Sequence, residues 1–125
     1  MRGFGDLEAA VMDVVWDAAV PITVRGVLEE LNRKRRNRAL AYTTVMTVLD
    51  NLHRKAMLRR SMEGRAWLYE ATASRSEYAA QIMHDVLESA RDQTAAMTHF
   101  VATMSDEESD TLRRLLRHRP GRKPR

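Results

Sequence analysis

Thr43, Thr47, Asp50 and Arg54 follow one another at spacings of three and four residues, and Lys55 adds a second cation beside the last of them. On a helix these spacings put short hydroxyls and methyls on one face, with positive charge at its far end. Groups of that size can touch base edges and thymine methyls in a major groove, while the cations hold phosphates. An ordinary solvated helix face carries the same residue types, so the neighbouring elements must decide.

Chemistry of other kinds finds few residues. The four histidines, at 53, 84, 99 and 118, have neither a metal-ligand spacing nor a nucleophile-base spacing, and no glycine-rich phosphate loop occurs. His84 and Glu88 stand at i, i+4, but two ligands do not close a metal site. The chain contains no cysteine, which removes disulfides and thiolate metal sites. We therefore expect no enzyme, no cofactor and no metal.

The elements that would position the hydroxyl row can be read around it. Val45, Val48, Leu49, Leu52 and Ala56 recur on the opposite face and predict a helix over 42–56 packed on a core. Leu58 to Ala71 reads as a β-hairpin, with Glu63-Gly64 as the turn signal and Trp67, Leu68 and Tyr69 on the return strand. A helix followed by a basic ribbon is a winged helix. Arg59, Arg60 and Arg65 charge the ribbon near its tip, where a wing meets the phosphate backbone.

Upstream, residues 6–18 predict a helix with Leu7, Val11, Val14 and Ala18 inward and Asp6 and Glu8 in its first turn. Pro21 breaks the run, Ile22-Thr23 suits a short strand pairing with the wing, and Thr23 suits the N-cap of a helix with Val24, Val27, Leu28 and Leu31 inward. Asn32 to Arg38 is expected to be a basic loop whose Arg33, Lys34, Arg35, Arg36 and Arg38 can anchor phosphates. Downstream, Ser74-Arg-Ser-Glu77 and Ser105-Asp-Glu-Glu108 are capping boxes that start two helices. The first carries Tyr78, Ile82, Val86, Leu87 and Ala90, the second Leu112, Leu115 and Leu116, and Ala96 to Met104 form an apolar segment between them.

Length and charge set the organisation. A chain of 125 residues supports one modest domain or two very small ones, so a winged helix over 1–72 leaves a helical region, 73–117, too small for a private core. Burial against a second copy follows, making the region a dimerisation domain that uses Tyr78, Ile82, Val86, Phe100, Leu112, Leu115 and Leu116. Residues 1–72 hold 12 basic and 9 acidic side chains, residues 73–112 hold 2 and 8, and residues 113–125 hold 7 and none. The middle segment is thus unsuited to DNA, and the tail 118–125, with two prolines and a glycine, is expected to be disordered. The N-terminus lacks a signal-peptide pattern and no apolar run reaches the ~20 residues of a membrane span, so a cytoplasmic protein is expected.

With these residues in place the chain resembles the BlaI/MecI-type repressors of penicillinase and methicillin-resistance genes. The likeness runs through Leu7 to Trp16, Tyr42-Thr-Thr-Val-Met-Thr-Val-Leu49, Trp67-Leu-Tyr69, His99-Phe-Val101 and the Ser105 to Glu108 helix start, and the Thr-Thr-Val-x-Thr motif is its most specific part. It implies a winged-helix domain, a helical dimerisation domain and repression by a homodimer on a dyad-symmetric operator. It implies base reading by Thr43, Thr44 and Thr47, with Tyr42 near the backbone and Arg65 at the wing. It also implies a response to β-lactams in which a protease cuts before Phe100, at the His99-Phe100 bond. The chain departs from the family at His99, where asparagine is usual, at Asn51, where arginine is common, and at Ala56, where a glycine would supply a left-handed helix cap. Copper-responsive relatives use a cysteine-rich motif that this chain lacks.

The leading expectation is therefore a mainly α protein with a small wing, acting as a sequence-specific repressor whose partners are double-stranded DNA, a second copy and an inactivating protease. Two other readings share the fold. One is a winged helix used for protein interaction, with its basic residues serving solubility, and the other is a repressor switched by a small ligand in a cleft between the domains.

Overall fold

In the computed structural model, which describes residues 5–35 and 39–119, the elements run α1 (Asp6–Ala18), β1 (Ile22–Thr23), α2 (Val24–Lys34), α3 (Tyr42–Arg54), β2 (Leu58–Glu63), β3 (Ala66–Ala71), α4 (Arg75–Ser89), α5 (Gln93–Ala102) and α6 (Asp106–Arg117). The strands form an antiparallel sheet in the order β1-β3-β2, with Ile22 opposite Tyr69 and Thr23 opposite Leu68. The short strand after Pro21 thus pairs with the wing as its sequence implied. By their contacts the residues divide into two compact units after Ile82, inside α4.

The first unit is built on apolar stripes that meet. Val11, Met12, Val14 and Val15 from α1, Val24, Val27 and Leu31 from α2, and Val45, Leu49 and Leu52 from α3 are buried together with Leu58 and Tyr69 of the sheet. Each such side chain contributes roughly 1.5–3 kcal/mol by leaving water, so three stripes of this length fix how the helices cross. Thr23 caps α2 by accepting from the Gly26 backbone N–H at 3.0 Å. Gly26 allows a close approach: a Cβ there would lie 2.8 Å from Ile22 Cγ1, so a larger residue would force the Ile22 side chain or α2 to shift.

Three local expectations change. The loop expected from Asn32 begins later, because α2 continues to Lys34 with Arg33 paired to Glu30 at 2.8 Å. Asn32 is then a clasp: its Oδ1 accepts from the Leu40 N–H at 2.7 Å and its Nδ2 donates to the Leu40 carbonyl at 3.2 Å. Of the basic cluster, Arg36 and Arg38 lie outside the described residues, as does most of the tail. The hairpin turn is Gly64-Arg65 rather than Glu63-Gly64, since Glu63 pairs with Ala66. Gly64 has φ of 61°, the positive value that the first position of a two-residue turn of this hand requires.

The third change is at the end of α3. Ala56 is exposed and outside the helix rather than in its apolar stripe, and it adopts φ of 64°. Its N–H donates to the His53 carbonyl and that of Met57 to the Leu52 carbonyl, each at 3.0 Å, the bond pair of a left-handed helix cap. The cap is therefore kept without glycine. Thr72 holds it from the far side, its hydroxyl donating to the Ala56 carbonyl at 2.8 Å and its N–H to the Met57 carbonyl at 3.1 Å.

Beyond the hairpin, both capping boxes form. Glu77 accepts from the Ser74 N–H at 2.9 Å while Ser74 Oγ accepts from the Glu77 N–H at 3.1 Å, and Ser105 with Glu108 repeats the arrangement at 2.8 and 3.1 Å. Asp92 caps α5 by accepting from the Ala95 N–H. The start of α4 belongs to the first unit: Arg75 reaches Asp17 at 3.1 Å and Asp13 at 3.3 Å, and Tyr78 lies 5.8 Å from the Trp16 ring.

Candidate nucleic-acid interface

Because Val45, Leu49 and Leu52 are driven inward, the opposite face of α3 must face out. Thr43, Thr44 and Thr47 are all exposed there, with Met46 among them. The Thr47 hydroxyl donates to the Thr43 carbonyl at 2.9 Å, so its proton is used within the helix and its methyl and lone pairs point outward. Tyr42 opens the helix, and the Arg25 guanidinium of α2 stacks 5.5 Å from its ring centroid. Arg25 went unnoticed in the sequence because only the helix-turn-helix crossing brings α2 and the start of α3 together.

The cations are more engaged than their exposure suggests. Arg54 pairs with Asp50 one turn earlier, and Lys55 holds both oxygens of Glu8 on α1 at 2.9 Å. The Lys55 ammonium pulls the Glu8 carboxyl below its usual range, as Arg54 and then Arg60 do for Asp50. On the wing, Arg59 pairs across the strands with Glu70 at 2.8 Å. Arg60 lies inward, 4.4 Å over the Trp67 ring, with Nη1 3.2 Å from Asp50 and 3.4 Å from the Tyr69 hydroxyl. Of the expected trio, Arg65 sits exposed in the turn with no ion pair among the described residues, while Arg59 stays exposed on its strand beside Glu70. Strand register sets these partners: Arg59 faces Glu70 and Arg60 faces Tyr69 across the hairpin.

The site offers shape, hydroxyls and charge. No group of three or more potential ligands gathers for a metal among the described residues. Beside a cavity of ≈ 320 Å³ lined by Trp16, Val20, Thr72 and Glu77, Trp16 Nε1 donates to the Ala73 carbonyl at 3.0 Å, and Thr72 and Glu77 bond to backbone.

With this geometry established, comparison with known proteins is decisive. The sequence matches the penicillinase repressor family over residues 4–118. The chain belongs to that family. It is 44% identical over 115 residues to the transcriptional regulator BlaI of Mycobacterium tuberculosis, a match covering 90% of this chain and 81% of the relative. Among solved structures it is similar to the DNA-binding domain of the repressor BlaI, with TM-score 0.51 and 29% identity over 61% of this chain and 88% of that one. The hsRosR-S4 complex, at TM-score 0.54 and 15% identity over 81% of this chain and 89% of that one, shares the fold alone. The penicillinase repressor family is one of transcriptional regulators, and the winged helix is its DNA-binding structure.

The second unit, taken by itself, bears the other expected sites. Val86, Phe100, Leu115 and Leu116 are exposed, Phe100 by 56% and Leu116 by 59%, and Leu112 is half-buried, whereas Ile82, also half-buried, closes the first unit. Tyr78 departs from this set: it is only 8% exposed, already covered by Trp16 in the first unit. The His99-Phe100 bond lies in the last turn of α5, where the Phe100 carbonyl accepts from both the N–H and the hydroxyl of Thr103. His84 lies 3.4 Å from Glu88, an exposed pair on α4.

Proposed function

We propose that this penicillinase repressor family member is a homodimeric repressor that reads a dyad-symmetric operator, one half-site per α3, and that it acts in the cytoplasm. Exposed Thr43, Thr44 and Thr47 on a helix whose other face packs Val45, Leu49 and Leu52 into the core carry this reading, since the hydroxyl face has the size and hydrogen-bonding groups a major groove admits. Tyr42, stacked on Arg25, and Arg65 on the wing contact the flanking phosphates, and Arg54 and Lys55 add charge at the far end of the helix. The relative's name, transcriptional regulator BlaI, and the solved repressor domain support it.

The dimer is supported by Val86, Phe100, Leu115 and Leu116, large apolar side chains exposed in a single chain. Two copies arranged about a dyad would present their recognition helices one DNA turn or a small multiple apart. Derepression follows from cutting the exposed His99-Phe100 bond, which separates α6 from the rest of the dimerisation unit. A protease requires extended backbone, and the last turn of a short helix frays most readily.

Selection of duplexes from a randomised pool at about 0.15 M salt, where nonspecific phosphate attraction is partly screened, tests the reading. An inverted repeat is expected to emerge. An unenriched pool would leave the winged helix to a protein partner instead.

A further inference from the structure

Asp50 is the only acid in α3, and it stands on the exposed face with Thr43 and Thr47. A carboxylate turned towards a polyanion weakens binding to every sequence, so its presence there calls for a use. Its two oxygens are divided: Oδ2 takes Arg54 from the next turn of α3, and Oδ1 takes Arg60 from the wing at 3.2 Å.

The two arginines differ in freedom. Arg60 is 24% exposed and has the Trp67 ring and the Tyr69 hydroxyl as further partners, so it stays in place whatever Asp50 does. Arg54 is 72% exposed and has Asp50 as its ion-pair partner. Exposed ion pairs are weak, so a phosphate brought into register by a fitted groove can take Arg54 from Asp50. A duplex that does not fit presents its phosphates loosely and must compete with the carboxylate at every encounter.

We propose that Asp50 is a specificity-determining residue, which withholds Arg54 from poorly fitting DNA and ties the wing to the recognition helix through Arg60. This rests on the reading that α3 enters a DNA groove. Asp50 contributes by exchange of partners: its negative charge lowers affinity for all duplexes, and the release of Arg54 restores it only where the contact is well placed.

The test uses the full chain and its Asp50→Asn variant, an inverted-repeat duplex recovered by selection, a scrambled duplex of the same composition, and a salt series. The variant should bind the scrambled duplex on the order of tenfold more tightly at low salt, with a slope of log affinity against log salt steeper by about 0.9, the increment of one added phosphate contact. The ratio of affinities for the two duplexes should fall. Adding Arg54→Ala to Asp50→Asn should return the slope to the wild-type value. An unchanged slope and ratio, or equal weakening on both duplexes with a lowered melting temperature, would overturn the proposal alone and leave Asp50 a structural residue. Wild-type protein that does not distinguish the two duplexes would overturn the DNA-reading assignment and this proposal with it.

Discussion

At the scale of single residues, the divided use of Thr47 makes a specific expectation. Its hydroxyl proton is spent on the Thr43 carbonyl, so outward recognition falls to its methyl and lone pairs. Thr47→Ala should cost ~1–3 kcal/mol on the operator and relax preference at one base pair, whereas Arg65→Ala should weaken all duplexes alike and reduce the salt slope by about one. Fluorescence anisotropy with specific and random duplexes separates the two, and equal losses on both for Thr47→Ala would remove Thr47 from base reading. Ala56 makes a second expectation. A left-handed alanine costs roughly 1–2 kcal/mol, and glycine there loses some of the gain to its freer unfolded chain. Ala56→Gly should therefore stabilise by about 0.5–1 kcal/mol in denaturant melts, and a destabilised variant would show that the alanine conformation carries no strain. The hydroxyl row was legible in the sequence because helical spacing alone places it. The partners of Arg54, Lys55 and Arg60 were not, since charges seen along a chain do not tell which of them strand register and helix crossing set face to face.

Elements were legible where local chemistry closes them. Thr23, Ser74 and Ser105 each cap the helix their spacing predicts, because a cap needs only residues three apart. The end of α2 was missed because it depends on Asn32 reaching Leu40 across the turn, and the end of α3 because an alanine gives no left-handed signal. The capping carboxylates also give the helices a pH response. Backbone N–H groups of Ser74 and Ser105 donate to Glu77 and Glu108 and hold both carboxyls below their usual range. A lowered folded pKa means that the stabilisation is full above the ordinary carboxylate value near ~4.3 and is lost as pH falls through the folded values. Circular-dichroism melts should therefore be flat between about pH 7 and 5 and decline below about pH 4, and Glu108→Gln should shrink that decline. A decline of the same size in Glu108→Gln would assign the acid sensitivity elsewhere, with Asp50 and Glu8 the next carboxylates to examine.

For the whole molecule, the winged helix could be read from order and spacing, but which apolar side chains of α4 stay uncovered could not. Tyr78 has the helical spacing of an interface residue, and only the meeting of α4 with α1 shows that Trp16 already covers it. The remaining apolar side chains set the assembly prediction. Leu116→Glu changes a residue 59% exposed, so the fold should survive while the dimer weakens by about 2 kcal/mol or more, roughly 30-fold in dissociation constant. Sedimentation equilibrium reads this directly, and an unaltered mass distribution would move the interface off α6. The two tryptophans, finally, give the molecule separate optical reporters. Trp16 donates to Ala73 and stacks near Tyr78 and Arg75, whereas Trp67 lies under Arg60 on the wing. With Trp67→Phe, the remaining emission would follow loosening of the α1–α4 seam, and with Trp16→Phe it would follow the wing as it meets a duplex, so each event can be timed without a label in its own single-tryptophan variant.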